Sequence, residues 1–382
     1  MFFLQIACRS PQNIEYFLFF HTFASLMKRE FRTYYLLKPL SWIYALFTSV
    51  RNMMYDRGIL PATRFPIPVI SVGNITVGGT GKTPHTLFIA SMLKDKVTTA
   101  VLSRGYGRLS KGFLLADEKS NSNLLGDEPL MIHNRLPEIY AAVDEDRVRG
   151  IKRLLKEVQP EVVILDDAFQ HRRIEPSLNI LLVNLNRNIL NDCVMPAGRM
   201  RETAAGRDRA DIIIVTKCPD TLEGRRMDEM SAKLMVHQSQ KVFFSTVKYG
   251  DIYNPFTSRA LVPEPGQQVL AITGIASPEA MWSKLEGLFG NVKKLPFKDH
   301  HRFTSRDIIR IEREVQSMGP DAVIVTTEKD IARLRSCHLS TELKERLFTL
   351  PVTIRFLRDE ALFRDNIIEH IESFRKKQNR HV

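Results

Sequence analysis

Cysteine is scarce in this chain. Four cysteines occur among 382 residues, and they are far apart, at Cys8, Cys193, Cys218 and Cys337. No Cys-x-x-Cys pair is present in the sequence. A disulfide framework and a cysteine-based metal cluster are therefore disfavoured, and a reducing compartment is expected. Internal repeats and sizeable low-complexity tracts are also missing, which argues against a repeat architecture.

Long apolar runs are missing as well. The stretch from Tyr34 to Val50 is rich in apolar and aromatic residues, but Lys38 and Pro39 interrupt it. The uncharged part that remains is shorter than the ~20 residues that a helix needs to span a bilayer. It contains three residues typical of the membrane interface, Trp42, Tyr44 and Phe47. With its basic flanks, the stretch predicts a helix that lies on or dips into the cytoplasmic leaflet; a helix packed on the main domain is the alternative.

The first residues do not read as a targeting signal. Polar residues break the apolar pattern of residues 1–23, and no clean small-residue cleavage site follows, so a signal peptide is disfavoured. Residues 1–26 are taken as an uncertain N-terminal extension, with Met27 as an alternative start.

The overall composition is that of a globular protein with an excess of basic residues. Hydrophobic residues make up 44% and charged residues 26%, which argues against a disordered chain. The length suffices for two domains of ordinary size. The formal net charge of +12 suits anionic partners, whether nucleic acid, an anionic membrane surface or phosphorylated substrates. Composition alone does not choose among these, or between them and a basic surface that only serves solubility.

A glycine-rich stretch organises the rest of the sequence. Residues 68–84 read Pro-Val-Ile-Ser-Val-Gly-Asn-Ile-Thr-Val-Gly-Gly-Thr-Gly-Lys-Thr-Pro, which is the order of a strand, a loop and a helix start. Glycines let backbone N–H groups approach a polyphosphate, and a helix N-terminus adds partial positive charge. Thr76 stands where the standard pattern has its first glycine. The stretch predicts a nucleotide phosphate site formed by Gly78, Gly79, Thr80, Gly81, Lys82 and Thr83.

A second motif follows an apolar strand. Residues Val162 to Leu165 run directly into Asp166 and Asp167. A buried strand that ends in paired aspartates is typical of a Walker B element, in which a carboxylate meets Mg2+ directly or through water. Strands and helices alternate along this part of the chain, which predicts a mostly parallel, doubly wound sheet with its ligand at the carboxyl edge.

Three polar loops are further candidates for the site. Arg104–Arg108 follows a strand and either faces the ligand or forms an ordinary glycine turn. Asp127 and Glu128 precede a proline, as at a helix start with Asp127 as cap, although such carboxylates also hold Mg2+ or accept a proton in phosphoryl transfer. For the adjacent His300 and His301 three interpretations are open: one of them is a general base, one of them orients a general base, or both are solvated in a surface loop. A zinc site is disfavoured.

Taken in order, these motifs resemble the tetraacyldisaccharide 4'-kinases, also called lipid A 4'-kinases. Each motif alone is weak evidence, whereas the ordered set is specific and extends from about residue 28 to 335. That family's loop also lacks the first glycine, so Thr76 fits the resemblance. The matching landmarks are Gly73–Pro84, Arg104-Gly105-Tyr106-Gly107, Gly126–Pro129, Asp166–His171, Pro196-Ala197-Gly198 with Arg201-Glu202, Asp299-His300 and Thr327–Asp330.

The resemblance implies an activity and its setting. The activity is transfer of the γ-phosphate of ATP to the 4'-hydroxyl of a tetraacyldisaccharide 1-phosphate in lipid A biosynthesis, with ATP and Mg2+ as cofactors. The acylated disaccharide phosphate and the cytoplasmic leaflet are the expected partners, and nucleic acid is not. A peripheral or monotopic protein at the cytoplasmic face of the inner (plasma) membrane is implied.

The fold class implied is α/β, a P-loop NTPase-like, mostly parallel sheet flanked by helices, with a second, smaller α/β domain and an N-terminal membrane-associated helix. The expected organisation is an extension over residues 1–26, the membrane-associated helix over 27–60, a P-loop kinase domain over 61–240 and a second α/β domain over 241–382.

The resemblance also implies a role for each candidate site residue. Catalysis is assigned to Asp127 as proton acceptor paired with His300, and to Lys82 and Asp167. Binding of the nucleotide and its phosphates is assigned to the glycine-rich loop, Lys82, Thr83, Gln170, Arg147 and Arg199. Metal binding is assigned to Thr83, Asp166 and Glu128. The choice of Arg199 over Arg201 as the phosphate contact stays open.

Two other functions remain as alternatives. A ParA/MinD-like membrane-associated regulatory ATPase would have a lysine just before the two glycines, where this chain has Val77. A GTPase-like switch would use Thr216–Asp220 as a base-specificity loop, but Cys218-Pro219 disrupts the usual spacing. Nucleotide hydrolysis without any lipid acceptor would favour either alternative.

Overall fold

The computed structural model describes residues 36–187 and 189–379. The predictions for residues 1–26 and for the start of the membrane-associated helix, 27–35, lie outside these residues. The chain divides into two compact units. One contains the described residues up to Leu60, Ile75–Val77 and Arg187–Gly206; the other contains Pro61–Asn74, Gly78–Asn186 and the described residues from Arg207 onwards.

The elements are numbered in chain order. The strands are β1 (Val69–Gly73), β2 (Thr99–Ser103), β3 (Leu114–Leu115), β4 (Tyr140–Val143), β5 (Val162–Asp166), β6 (Leu178–Asn184), β7 (Ile212–Thr216), β8 (Lys241–Tyr249), β9 (Val269–Thr273), β10 (Val292–Pro296), β11 (Val323–Thr326), β12 (Leu347–Thr349) and β13 (Val352–Phe356). The helices are α1 (36–56), α2 (Lys82–Leu93), α3 (Ser122–Leu125), α4 (Asp127–Arg135), α5 (Arg147–Glu157), α6 (Gly224–Leu234), α7 (Glu279–Phe289), α8 (Ser305–Ser317), α9 (Glu328–Leu334), α10 (Thr341–Arg346) and α11 (Glu360–Asn379), with a 3-10 helix over Ala204–Arg209.

Nine of the described strands form one sheet. Seven of them are parallel, in the order β8-β7-β6-β1-β5-β2-β4, and antiparallel strands lie outside them, β13 beside β8 and β3 beside β4. Successive residues of β5 point to opposite faces: Val162 and Ile164 enter one apolar core, and Val163 and Leu165 enter another. Burial of each such side chain stabilises the fold by about 1.5–3 kcal/mol. Because both faces are covered, the strands read as continuous apolar runs.

A smaller sheet of four parallel strands has the order β10-β9-β11-β12. Apolar cores lie on both of its faces as well. The predicted fold class is thus confirmed as a mostly parallel α/β sheet flanked by helices, with a second, smaller α/β layer. Residues beyond 240 contribute strands to both sheets, and the domain boundary at that residue stays a prediction.

The register of the large sheet places the two main motifs side by side. Val72, near the end of β1, pairs with Asp166 at the end of β5. Parallel strands end at a common edge, so the loop after β1 and the paired aspartates after β5 leave the sheet next to each other.

The first unit is built from α1 and the loop around residues 196–202. A stripe of polar side chains fastens the helix to that loop. Tyr44 Oη donates to the carbonyl oxygen of Arg201 at 3.1 Å, and Ser41 Oγ accepts from the N–H of Ala197 at 2.8 Å. Asn52, further along the helix, donates to the Glu202 carboxylate at 2.8 Å.

The apolar face of α1 is turned outward. Five large apolar side chains are between 54% and 68% exposed: Leu40, Trp42, Ile43, Leu46 and Phe47. They are therefore not part of a core, and α1 packs through its polar stripe instead. Among the helices that the structure describes, none is both long enough and apolar enough to cross a membrane.

Candidate active site

The glycine-rich loop joins β1 to α2. Gly78 and Gly81 have φ angles of 93° and 85°, a conformation that residues with a side chain rarely adopt. Within the described residues, no side chain caps the N-terminus of α2. The N–H groups of its first turn are therefore available to an anion, and the helix dipole favours negative charge there.

Two amide side chains hold this loop in shape. Asn74 Nδ2 donates to Thr80 Oγ1 at 2.6 Å, and both residues are fully buried. Gln170 Nε2 donates to the carbonyl oxygen of Asn74 at 2.7 Å. The structure thus places Gln170 against the base of the loop, and its contact with nucleotide stays a prediction.

The paired aspartates lie beside the loop lysine. Lys82 Nζ is 3.4 Å from Asp167 Oδ2, and Thr86 Oγ1 donates to Asp166 Oδ1 at 2.9 Å. Asp166 is 5% exposed, and its burial, together with the charge of Asp167, raises its pKa to about 6. Asp166 is thus a buried carboxylate whose ionisation is opposed by burial and by Asp167, although the charge of Lys82 favours it.

These surroundings fit Mg2+. A cation beside Asp166 would favour its ionised form, and the buried Thr83 offers a hydroxyl oxygen from the first turn of α2. Glu128, the third predicted ligand, pairs with Lys329 at 2.6 Å, while its charge also acts on Asp166. In the described part of the chain, no three His, Cys, Asp or Glu side chains form a metal cage, and Mg2+ usually completes its shell with water and phosphate.

A carboxylate, an imidazole and a guanidinium meet at the start of α4. Asp127 Oδ2 lies 2.7 Å from Arg333 Nε and 3.3 Å from His300 Nδ1. The Arg333 side chain is 4% exposed and that of Asp127 15%, whereas His300 is 38% exposed. His300 is thus the most accessible member of this cluster.

The members of the cluster stabilise each other's charges. Burial opposes ionisation of Asp127, but the hydrogen bond with His300 and the charge of Arg333 outweigh it and lower the pKa of Asp127. The hydrogen bond with Asp127 raises the pKa of His300, against the effect of burial. Asp127 is therefore held as a carboxylate, which is the form that a proton acceptor needs.

A pocket of about 250 Å³ lies against the cluster. Asp127, His300 and Arg333 form part of its wall, together with Tyr106 from the Arg104–Arg108 loop. The Tyr106 ring meets the His300 ring edge-on, with centroids 5.7 Å apart. This loop therefore faces the pocket, and its contact with the ligand stays a prediction.

The two adjacent histidines serve different elements. His301 Nε2 lies 3.1 Å from Asp307 Oδ2, in the first turn of α8, and its ring packs on Phe297. Of these two histidines, His300 is the one that contacts Asp127.

Arg147 lies buried near the paired aspartates. It is 3% exposed, and its burial, together with the charge of Arg104, lowers its pKa to about 10. The charges of Asp167 and Asp166 act in the opposite direction. Within the described residues, Arg147 Nε has no hydrogen-bond partner. This guanidinium thus has a buried donor available to an anion.

Arg199 and Arg201 belong to the other compact unit. The carbonyl of Arg199 accepts from the N–H of Val77 at 2.7 Å, and the N–H of Arg201 donates to the carbonyl of Ile75 at 2.8 Å. Their backbone therefore pairs with residues 75–77. The Arg199 side chain is exposed, and the choice between the two arginines as a phosphate contact stays open.

Two features of the cluster differ from the sequence analysis. Asp127 does not cap α4, because Gly126, with φ of 88°, occupies the cap position and Asp127 is the first helical residue. Arg333 is not predicted at all, since the last motif ends at Asp330. The one signal in the sequence is the spacing of Asp330 and Arg333, which puts an acid and a base on one face of α9.

Comparison with known sequences identifies a family. A family model described as tetraacyldisaccharide-1-P 4'-kinase (LpxK) matches residues 33–372. A tetraacyldisaccharide 4'-kinase from Phocaeicola vulgatus is 42% identical over 353 residues, which cover 90% of this chain and 96% of that protein. One from Bacteroides fragilis is 42% identical over 356 residues, covering 90% and 94%.

A solved structure shares the fold. It is the crystal structure of an "apo" form of LpxK from Aquifex aeolicus in complex with ATP, with a TM-score of 0.71 and 29% sequence identity. The match covers 89% of this chain and 99% of that one. The ParA/MinD-like alternative finds no support in these comparisons.

Proposed function

The chain belongs to the tetraacyldisaccharide-1-P 4'-kinase family, and from that premise we propose which residues perform its reaction. The reaction is the ATP-dependent phosphorylation of the 4'-hydroxyl of a tetraacyldisaccharide 1-phosphate, in lipid A biosynthesis. The observation that carries the proposal is the contact between the ionised Asp127 and His300 at the wall of a pocket.

Asp127 accepts the proton of the 4'-hydroxyl as its oxygen attacks the γ-phosphorus of ATP, and ADP leaves. His300 orients the carboxylate through the contact between its imidazole and Asp127. It also balances the charge of the carboxylate, because the hydrogen bond raises the pKa of His300 and so favours its protonated form. Phosphoryl transfer needs little covalent work from a protein, so positioning and charge supply most of the effect.

The loop and its lysine bind the phosphates. The N-terminus of α2 has no side-chain cap, so the N–H groups of its first turn are available to the phosphates, and Lys82 adds a full positive charge. Asp167 orients Lys82 through the 3.4 Å contact. Gln170 holds the loop in shape through its hydrogen bond to the carbonyl oxygen of Asn74. Arg147 Nε, which has no partner among the described residues, stabilises negative charge on the transferred phosphoryl group. Arg199 is retained as a further phosphate contact.

Mg2+ is the second cofactor in this proposal. Thr83 and Asp166 would hold it, with Glu128 nearby, because the oxygen donors suit Mg2+ and a cation would favour the ionised form of the buried Asp166. When bound, Mg2+ neutralises charge on the phosphate oxygens.

The protein attaches to the cytoplasmic face of the inner membrane through α1. The exposed apolar side chains of this helix can enter the interface, and the net charge of +12 favours an anionic leaflet. A lipid substrate whose acyl chains remain in the bilayer would then reach the site without leaving the membrane.

The direct test is transfer of labelled phosphate. The protein is incubated with γ-labelled ATP and an acylated disaccharide 1-phosphate, and the label is expected on the lipid. Release of labelled inorganic phosphate without any labelled lipid would instead favour a regulatory ATPase.

Lys82→Ala is expected to abolish transfer while the fold is retained. The variant lacks the positive charge of Lys82 beside the phosphates. Loss of such a charge in a phosphoryl-transfer site lowers the rate by several orders of magnitude. Lys94→Ala is the control and should remain active. Lys94 directly follows the last residue of the same helix and pairs with Glu138. Full activity of Lys82→Ala would refute the phosphate-loop assignment.

A further inference from the structure

We propose that Arg333 positions the Asp127–His300 pair, and that Asp330 and Gly274, here called the clamp, hold Arg333 in place. The inference rests on the proposed function, because it takes Asp127 as the proton acceptor. Arg333 lies outside every motif of the sequence. In this proposal it acts through Asp127 and His300 and touches neither ATP nor the lipid.

Arg333 is buried, and two of its nitrogens, Nε and Nη1, donate to three partners. Nε donates to Asp127 Oδ2 at 2.7 Å. Nη1 donates to Asp330 Oδ1 at 2.9 Å and to the carbonyl oxygen of Gly274 at 2.8 Å. A guanidinium is planar and its donors have fixed directions, so these bonds leave the side chain a single orientation.

Gly274 links Arg333 to the histidine loop. Its N–H donates to Asp330 Oδ2 at 3.0 Å, and its carbonyl accepts both from Arg333 and from the N–H of His300, the latter at 3.1 Å. A Cβ atom at position 274 would lie 2.7 Å from Asp330 Oδ1 and 3.2 Å from Arg333 Nη1. One peptide carbonyl therefore fixes the positions of Arg333 and His300 together, with no space for a side chain.

Asp330 is the fixed end of this arrangement. It is fully buried, and Thr327 Oγ1 both donates to its Oδ2 at 2.7 Å and accepts from its N–H at 3.1 Å. Asp127 is the other end, at the pocket. The motif that ends in Asp330 thereby has a physical role in the site, which is to anchor the arginine one helical turn further on.

Arg333 and His300 converge on the same oxygen of Asp127. Arg333 Nη2 also lies 3.4 Å from His300 Nδ1, so the three groups fix one another. His300 has a φ of 56°, a strained value for a histidine, and the hydrogen bond to Gly274 holds it there. Without Arg333, the carboxylate is free to rotate away from the geometry that it offers to the hydroxyl.

A double-mutant cycle on the full-length protein tests the inference. Arg333→Met is expected to lower kcat roughly a hundredfold while the KM for ATP changes less than about threefold. In an Asp127→Asn background, the same substitution should lower kcat by less than about threefold, because the carboxylate that Arg333 positions has been neutralised. Arg333→Lys should recover about tenfold, since it restores a charge without the planar geometry.

A matched control and a second variant distinguish a loss of positioning from a loss of folding. Arg346→Met removes an arginine that also reaches a carbonyl, that of Gly319, and a carboxylate, that of Glu342, and should leave kcat unchanged. Gly274→Ala displaces the clamp while Arg333 keeps its charge, and should lower kcat about tenfold at an unchanged KM for ATP. If Arg333→Met does not fold, the cycle is run with Gly274→Ala.

The outcomes separate this inference from the proposed function. If Asp127→Asn lowers kcat but the Arg333 effect is equally large in both backgrounds, Arg333 does not act through Asp127 and only this inference is overturned. If Arg333→Met raises the KM for ATP instead of lowering kcat, only this inference is overturned as well. If Asp127→Asn retains full kcat, the proton-acceptor role is refuted and the inference falls with it.

Discussion

The ionisation of Asp127 depends on two residues that are remote in sequence. Its carboxylate is at the start of α4, and the two groups that contact it come from the loop before α8 and from α9. Burial alone would favour the neutral acid, but His300 and Arg333 shift the balance, and the pKa of Asp127 is lowered. The residue thus combines a protected position with the charged state that proton transfer requires.

Asp127→Ala is expected to lower kcat by about 10²–10⁴-fold and to change the KM for ATP far less. The reason is that proton transfer occurs in the transition state, whereas ATP binds through the loop. Steady-state kinetics with both substrates varied will measure the two constants. Asp117→Ala, in a surface turn, is the control. A raised KM with an unchanged kcat would remove Asp127 from the role of base.

At this scale, the sequence predicts residue types better than residue partners. Lys82 and Asp167 follow from local motifs, and they lie 3.4 Å apart. The pairing of Asp127 with His300 rests on the resemblance alone, because no local pattern relates residues so far apart in sequence. Arg333 escapes prediction because its function depends on the turn at Gly274, where the backbone brings His300 and Asp330 together.

Among the secondary-structure elements, α2 carries a buried histidine. His85 donates from Nδ1 to the carbonyl of Gly81 at 2.7 Å, and Nε2 lies 2.9 Å from Ser245 Oγ. Burial lowers its pKa to about 4, against the hydrogen bond to Gly81, which favours the charged form. The helix that begins at the phosphate loop is therefore anchored by a neutral imidazole that reaches β8.

This histidine is expected to make the fold less stable in acid. The unfolded chain protonates His85 near pH 6.5 and the folded chain only near pH 4, so the unfolded state binds more protons in between. Stability then falls as the pH drops from 6.5 to 4, by roughly 3 kcal/mol in total. Urea unfolding of the wild type and of His85→Gln will show this as a shallower pH dependence in the variant.

The exposed His338 provides the comparison for that experiment. His338→Gln should keep the pH dependence of the wild type. Equal pH dependences for the wild type and His85→Gln would mean that the buried imidazole is not the group responsible.

The elements themselves divide into predictable and unpredictable ones. β1, α2 and β5 follow from local patterns, because the glycine-rich stretch has the order of a strand, a loop and a helix start and an apolar run leads into the paired aspartates. β13 is short, and its place beside β8 in the large sheet depends on pairs such as Phe356 with Ser245. Such pairings are distant in sequence, and no local pattern encodes them.

For the molecule as a whole, net charge and the exposed face of α1 are the two features on which the proposed membrane attachment rests. In that proposal the net charge of +12 acts at a distance, whereas the apolar side chains of α1 act on contact. The sequence predicts the amphipathic helix, but it does not predict that the polar stripe is the docked side. That arrangement depends on the loop of residues 196–202, whose partners on α1 are far away in sequence.

Trp42→Ser combined with Phe47→Ser is expected to reduce binding to anionic vesicles at least about tenfold, because each aromatic side chain contributes roughly 1.5–3 kcal/mol when buried. Sedimentation with vesicles that contain phosphatidylglycerol will measure the bound fraction, and added salt should lower it for the wild type. Val262→Ser removes an exposed apolar residue elsewhere and should bind like the wild type. Unchanged binding of the double variant would show that α1 is not the attachment site.

The polar docking of α1 has a mechanical consequence. The carbonyl oxygen of Arg201 accepts a hydrogen bond from Tyr44 on the helix, and the N–H of Arg201 donates to the carbonyl oxygen of Ile75 within the glycine-rich stretch. In the proposed attachment, a bilayer that turned α1 would either break such bonds or move residues 75–77 along with the helix. The membrane contact proposed for α1 is thus linked through Arg201 to Ile75 of the glycine-rich stretch.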